Sequence, residues 1–373
     1  MGFKCGIIGL PNVGKSTIFN GLTAKGAPSE NYPFCTIDPN IGIVEVNDPR
    51  LWEISKYVKT KKIVPAVVEF VDIAGLVKGA SRGEGLGNKF LGHIRETHAL
   101  AHVVRCFEDS HVTHVEGGID PLRDIETVDT ELIFADNETV ERTLQRVRKQ
   151  AKGPASKEIQ ATIAMLESLV KHLQGLQAAR KFPLSEYAQV ESPTALAYRD
   201  MHLLTAKKVL YVCNVEERLA DGEHDNALTR QVKDKAAKEA SGVVVISGKI
   251  EEELSRLEGS ERTEMLEALG MKESGLDRLA REGYNVLGLM NYFTAGEKEI
   301  RAWTIHKGTK APEAAGVIHS DFEKGFICAE VYSVDDLKKA GNKNQLRDMG
   351  LLRIEGKDYV VRDGDVMEFR FNV

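Results

Sequence analysis

The sequence predicts an α/β fold: an open, mostly parallel sheet interrupted by an α-helical coiled-coil hairpin and followed by a small β-rich domain. Three observations predict it. Five near-continuous apolar runs of strand length, "KCGIIGL", "AVVEFVDIAG", "AHVVRCF", "KKVLYVCNV" and "GVVVISGK", are separated by helix-length segments, the pattern of parallel strands buried on both faces. A middle stretch from Thr127 to Arg180 has almost no Gly, Pro or strand pattern and carries apolar residues at helical spacing. The last part reads as short alternating strands, "DYVVRDGD" among them, between Gly and Asp turns.

In chain order, the first run leads into "GLPNVGKS", Gly9 to Ser16, and then into the helical "STIFNGLT". This is G-x-x-x-x-G-K-[ST] in its proper strand-to-helix context. Gly9 and Gly14 let the backbone curl through Asn12 and Val13, so that successive N–H groups point at a phosphate. The helix that starts at Lys15, Ser16 and Thr17 presents its positive end there. Lys15 is expected to reach the β- and γ-phosphates, and the Ser16 hydroxyl to bind Mg²⁺. "NYPFCTIDPN", Asn31 to Asn40, falls where a switch loop belongs, and its Thr36 is assigned to Mg²⁺. "VDIAG" supplies D-x-x-G: Asp72 for a water-mediated hold on Mg²⁺, the Gly75 N–H for the γ-phosphate. Two loops ordered by triphosphate and released after hydrolysis follow from this set. The position after D-x-x-G is Leu76, which cannot hold an attacking water. "GASRGEGLG" then allows large rearrangement, so turnover is expected to be slow until a partner completes the site.

The middle stretch reads as two helices. Val128, Leu132, Val140, Leu144 and Val147 make one stripe; Ile159, Ile163, Leu166, Leu169, Val170, Leu173 and Leu176 make another. "KGPAS" turns the chain between them. The rival reading is that these helices merely cover the sheet, but each is longer than a sheet face needs. Arg142, Arg146, Arg148, Lys149, Lys152 and Lys157 gather at the expected tip with no acid from Arg142 to Lys157. On an acidic chain, that concentration reads as an RNA-facing contact, against the bland reading of a solvated helix end. The sheet domain is thus placed over residues 1–126 and 205–300, the helical insertion over 127–204, and the β-rich domain over 301–373.

"VLYVCNVEERL" ends a strand on Asn214, where a guanine reader would spell N-K-x-D. Here the Lys position is Val215 and the Asp position Glu217. The aliphatic stem that lies on the base is gone, and the carboxylate stands one methylene further out. A displaced charge-assisted hydrogen bond typically costs on the order of 1.5–3 kcal/mol, so preference for guanine is expected to be weakened. Adenine, with an amine donor and an unprotonated ring nitrogen, suits Asn214 and nearby carbonyls; the rival is that Glu217 still reads guanine. Ser247, in "VISGK", is the candidate to close over the base, with Lys249 a weaker one.

At 373 residues, with 42% hydrophobic and 28% charged side chains, the chain has an ordinary globular composition and more than one domain. A formal net charge of −6 argues against coating nucleic acid along the whole surface. No apolar run approaches the roughly 20 residues of a bilayer span, and no signal-peptide h-region opens the chain. Five scattered cysteines, Cys5, Cys35, Cys106, Cys213 and Cys328, have no C-x-x-C pair, which favours reduced thiols. Cys35, in the switch loop, is the one read as a possible redox-sensitive thiol. A cytoplasmic protein without membrane or DNA partners is expected.

Taken together, "GLPNVGKST", "NYPFCTIDPN", "VDIAGLVKGASRGEGLGNKFL", the N-x-x-E variant at Asn214, and "DFEKGFICAEV" with "DGDVMEFRFNV" resemble the YchF subfamily of Obg-related P-loop NTPases over essentially the whole chain. The resemblance implies a G domain carrying the inserted helical hairpin and a C-terminal β-grasp module of the TGS type. It also implies ATP as the preferred substrate, with GTP bound more weakly, and association with ribosomes, to whose RNA the hairpin tip would be suited. It points to His114 as the group that positions the water or acts as general base; taken alone, His114 reads as a solvated loop residue. The rivals are a GTPase of the same switch class and a ribosome- or RNA-binding module in which hydrolysis is incidental.

Overall fold

The computed structural model describes residues 3–24, 40–73, 86–109, 118–151 and 157–372. Thr36, Gly75, Leu76, His114, Lys152 and Cys35 lie outside them.

Twelve strands are present among the described residues: β1 Phe3–Ile8, β2 Ile41–Val46, β3 Ile63–Val64, β4 Ala66–Asp72, β5 Ala99–Arg105, β6 Lys208–Asn214, β7 Gly242–Ile246, β8 Leu289–Ala295, β9 Ile300–His306, β10 Phe326–Ser333, β11 Arg353–Glu355 and β12 Asp365–Phe371. The first sheet runs β2-β4-β1-β5-β6-β7. The five apolar runs become the parallel strands β4, β1, β5, β6 and β7, and β2 adds an antiparallel edge against β4. Every residue of β5 is buried, which is why that run reads as continuously apolar rather than alternating.

The helical arm is real but begins earlier than residue 127. Asp120 caps the first helix, accepting from the Leu122 and Arg123 N–H groups, and Pro121 occupies the first turn, where its missing N–H costs nothing. That helix runs Pro121–Gln150, about 45 Å at 1.5 Å per residue, and the second runs Lys157–Gln174. The long helix has two allegiances. Ile125, Val128, Leu132 and Ala135 join the core of the sheet domain. Val140 and Leu144 pack instead with Met165, Leu166, Leu169 and Leu173 in a separate core. Both readings of the stripe therefore hold, each for half of the helix. Leu176 falls outside the expected stripe: the second helix has ended, and Leu176 sits exposed at φ +54°. The return path to β6 carries Phe182, Met201 and Leu203 onto the same small core.

The second sheet runs β11-β10-β12-β8-β9-β3. It draws in β8, on the near side of the expected start at residue 301, and β3 from early in the chain. "DYVVRDGD" is not a strand; it contributes an isolated bridge between Lys310 and Val360. A clasp ties the two sheets together. Arg50, on the helix after β2, donates to Asp48 at 2.7 Å and to Asp363 at 2.9 Å, and Asn291 on β8 donates to Asp48 at 3.1 Å. This mixed sheet with packed helices is the β-grasp arrangement that the resemblance implied.

Cys5 and Cys213 are buried within β1 and β6, Cys106 is buried directly after β5, and Cys328 is half-buried. Among the described residues, no helix is long and apolar enough to cross a membrane.

Candidate nucleotide-binding site

The site forms at the carboxyl ends of β1, β5, β6 and β7, the crevice where open α/β sheets bind ligands. The loop after β1 needs unusual backbone. Gly9 lies at φ +147°, Asn12 at +63° and Gly14 at +97°. A Cβ on Gly9 would collide with the Val103 carbonyl, and one on Gly14 with the Asn214 side-chain amide, so glycine is required at both places for space as well as for φ. Val13 is buried against the core. The helix Lys15–Ala24 starts at the rim, and Asn12, Gly14, Lys15, Ser16 and Thr17 line the cavity.

Lys15 is buried, and its Nζ donates to the Leu10 carbonyl at 2.7 Å. Burial lowers its pKa to about 8, partly offset by the negative charge of Asp72. Asp72, the last residue of β4, is raised by its own burial and held down by Lys15. A cation and a carboxylate thus influence each other beside the phosphate loop. The Ser16 hydroxyl and the Asp72 carboxylate are hard oxygen donors, of the chemistry that Mg²⁺ takes together with phosphate oxygens.

Beyond the phosphate loop, the cavity opens to about 600 Å³ between three loops. Phe107, Glu108 and Asp109 follow β5; Asn214 ends β6, and Val215, Glu216 and Glu217 follow it; Ser247, Gly248 and Lys249 follow β7. Asn214 is buried and braces all of this. Its Nδ2 donates to the Val13 carbonyl at 2.9 Å, and its Oδ1 accepts from the Gly248 N–H at 3.0 Å. Val215 is buried, with its N–H on the Ile246 carbonyl at 2.9 Å, a short apolar wall where a lysine stem would otherwise lie. Ser247 is buried, and its Oγ has no hydrogen-bond partner among the described residues, leaving a hydroxyl for a ligand. Glu217 stands at the mouth, held by the Lys249 ammonium.

Sequence reasoning missed the β5 wall. Arg105 is fully buried, its Nε donates to the Phe107 carbonyl at 3.1 Å and its Nη2 to that of Asp109 at 3.0 Å. Its guanidinium also lies 4.7 Å from the centre of the Phe107 ring. The signal was available: "RCFED" ends a parallel strand next to the one that ends on Asn214, and Arg105 pairs in register with Asn214.

The basic tip is divided by the structure. Arg142, Arg146 and Lys149 line one shallow groove with Gln145 and Gln150, as i, i+4 and i+7 spacing dictates. Arg148 turns away and pairs with Glu167 on the second helix at 2.6 Å. Lys157 starts that second helix.

Comparisons with known proteins agree with this geometry. Residues 289–372 match the family model "YchF-GTPase_C", described as a protein of unknown function, and residues 4–152 match a model described as a 50S ribosome-binding GTPase. The chain is 51% identical to the "Ribosome-binding ATPase YchF" of Bacillus subtilis (strain 168) and 50% identical to the protein of that name from Escherichia coli O157:H7, over 100% of each chain. The solved YchF GTPase of Schizosaccharomyces pombe superimposes with a TM-score of 0.84 at 39% identity, over 99% of this chain and 97% of that one.

Proposed function

The chain belongs to the YchF family of P-loop nucleoside triphosphatases, and on that premise we propose that it hydrolyses ATP to ADP and phosphate with Mg²⁺ and acts as a nucleotide-controlled switch on the ribosome. The relatives' names divide between ATPase and GTPase, so the base pocket carries the choice. The observation that favours ATP is the state of Glu217: the carboxylate nearest to a guanine-reading position is paired with Lys249, and Val215 occupies the position from which a lysine would lay its stem on the base. The buried, unpartnered Ser247 hydroxyl accepts from or donates to either side of an adenine edge.

On this reading, the phosphate-loop N–H groups and Lys15 orient the triphosphate, and Lys15 places its charge against the γ-phosphate. Ser16 and Thr36 would hold Mg²⁺, with Asp72 supporting them through a water, and the bound ion would supply neutralisation of the phosphate charge. Gly75 holds the γ-phosphate and His114 positions the attacking water. Leu76 brings no side chain that can hold that water, so a partner is needed to complete the site and basal turnover is slow. The groove of Arg142, Arg146 and Lys149 supports docking on ribosomal RNA, in the cytoplasm, and keeps open a binding module in which hydrolysis is secondary.

Calorimetric titration of the purified protein with non-hydrolysable ATP and GTP analogues, Mg²⁺ present, tests the base choice. A tenfold preference for the ATP analogue, about 1.4 kcal/mol, is expected; a preference for the GTP analogue overturns the ATP reading. His114→Ala separates switch from module: ribosome-dependent effects that survive complete loss of hydrolysis favour the module.

A further inference from the structure

We propose that Lys249 is a purine-specificity residue: by holding Glu217 across the mouth of the base pocket, it removes the carboxylate that a guanine edge would require. The inference rests on the ATP reading and supplies a device for it. Glu217 comes from the turn Glu217–Leu219 after β6, and Lys249 from the helix Gly248–Leu254 after β7. Both line the cavity, and the Lys249 ammonium donates to Glu217 Oε1. The backbone beneath this pair is fixed, because Asn214, three residues before Glu217, accepts from the N–H of Gly248, the residue before Lys249. The ammonium also feels Glu253 on its own helix and Asp109 on the opposite wall, which favour its charged form.

The chemistry is asymmetric between the purines. Guanine presents a ring N–H and an exocyclic amine, two donors side by side, and needs a free carboxylate to accept both. Here one carboxylate oxygen is already engaged, and an ammonium, which can only donate, stands among the donors. Adenine presents one amine and one bare ring nitrogen. A free carboxylate beside that nitrogen would repel it, and Lys249 cancels the repulsion. Specificity thus arises as much from what guanine loses as from what adenine gains. The pair is exposed, 68% for Lys249 and 51% for Glu217, which limits the effect to severalfold rather than thousandfold.

The test measures affinities for non-hydrolysable ATP, GTP and inosine triphosphate analogues, with Mg²⁺, in the wild type, Lys249→Ala, Lys249→Met and Lys249→Ala/Glu217→Gln. Release of Glu217 is expected to move the ATP-to-GTP affinity ratio at least threefold towards GTP in both single variants. The inosine analogue, which lacks the exocyclic amine, should gain less than the guanine analogue. Adding Glu217→Gln should cancel the gain. If all three purines shift together, or the ratio stays within twofold of the wild type, Lys249 is only part of the wall and the proposal fails. The wild-type ratio by itself judges the ATP reading, whereas the change on substitution judges Lys249, so the two fail separately.

Discussion

The Asn214 side chain donates to the carbonyl of Val13 at 2.9 Å, joining the base-reading strand to the phosphate loop across 201 residues of sequence. Its other end accepts from Gly248. Asn214 is therefore a brace among three loops, whatever part it takes in touching the base. Asn214→Ala leaves a buried carbonyl and a buried N–H unpaired, and each such loss costs about 1–3 kcal/mol. Triphosphate affinity is expected to fall at least tenfold for ATP and GTP alike, with a lower melting temperature. An unchanged affinity in the calorimeter would remove the brace from the account.

Gly14 and Asn214 share one small space. Gly14→Ala puts a methyl group into the Asn214 amide at a backbone φ of +97°. The expected outcome is loss of detectable nucleotide binding in a chain whose circular dichroism still shows the α/β fold, because the strain is confined to the loop.

His102, on β5, is buried, and its Nε2 has no hydrogen-bond partner among the described residues. Burial, helped by the charges of Arg180, Lys15 and Lys235, lowers its pKa to about 3. The unfolded chain, with histidine near 6.5, binds a proton that the folded one refuses. Stability contributed this way is present above pH 6.5 and is lost as pH falls towards 3. Between pH 7 and 5 the loss from this one group is about 2 kcal/mol. Urea titrations at the two pH values should show it in the wild type, and His102→Phe should show a correspondingly smaller loss.

At the hairpin tip, geometry separates residues that sequence groups together. Replacing Arg142, Arg146 and Lys149 by Ala is expected to weaken ribosome binding and to make its salt dependence shallower by about two in the log–log slope. Arg148→Ala, which removes a pair with Glu167 rather than a groove residue, should leave the slope alone. Co-sedimentation at several salt concentrations distinguishes them; equal effects from both variants would mean the groove is not the contact.

Arg50 ties the helix after β2 to Asp363 in the turn that leads into β12, and its guanidinium lies 5.3 Å from the Phe293 ring. Among the described residues, Arg50→Ala leaves the buried Asp48 carboxylate with Asn291 and the residue 50 backbone N–H as partners. Because Asp48 is held below its ordinary pKa chiefly by Arg50 against the opposing effect of burial, the variant is expected to lose about 2–4 kcal/mol. The two sheets should then become separately susceptible to protease. A single cooperative transition at the wild-type midpoint would contradict this.

The sequence by itself determined the features that depend on near neighbours along the chain. Backbone curl at Gly9 and Gly14, the helix start at Lys15 and the apolar runs of β1, β4, β5, β6 and β7 each follow from a few adjacent residues, so they were legible as spelling and spacing. The tertiary structure alone decided what depends on residues far apart. Whether Val128 faces the sheet while Val140 faces the hairpin, how β3 and β8 enter the second sheet, and which arginines share a groove are set by packing, to which helical periodicity is blind. In the pocket, the Arg105 support for the Phe107 wall, the Asn214 brace and the capture of Glu217 by Lys249 arise because β5, β6 and β7 end side by side. A carboxylate's meaning for a base is fixed by the charge that folding sets beside it, and that neighbour lies 32 residues further along the chain.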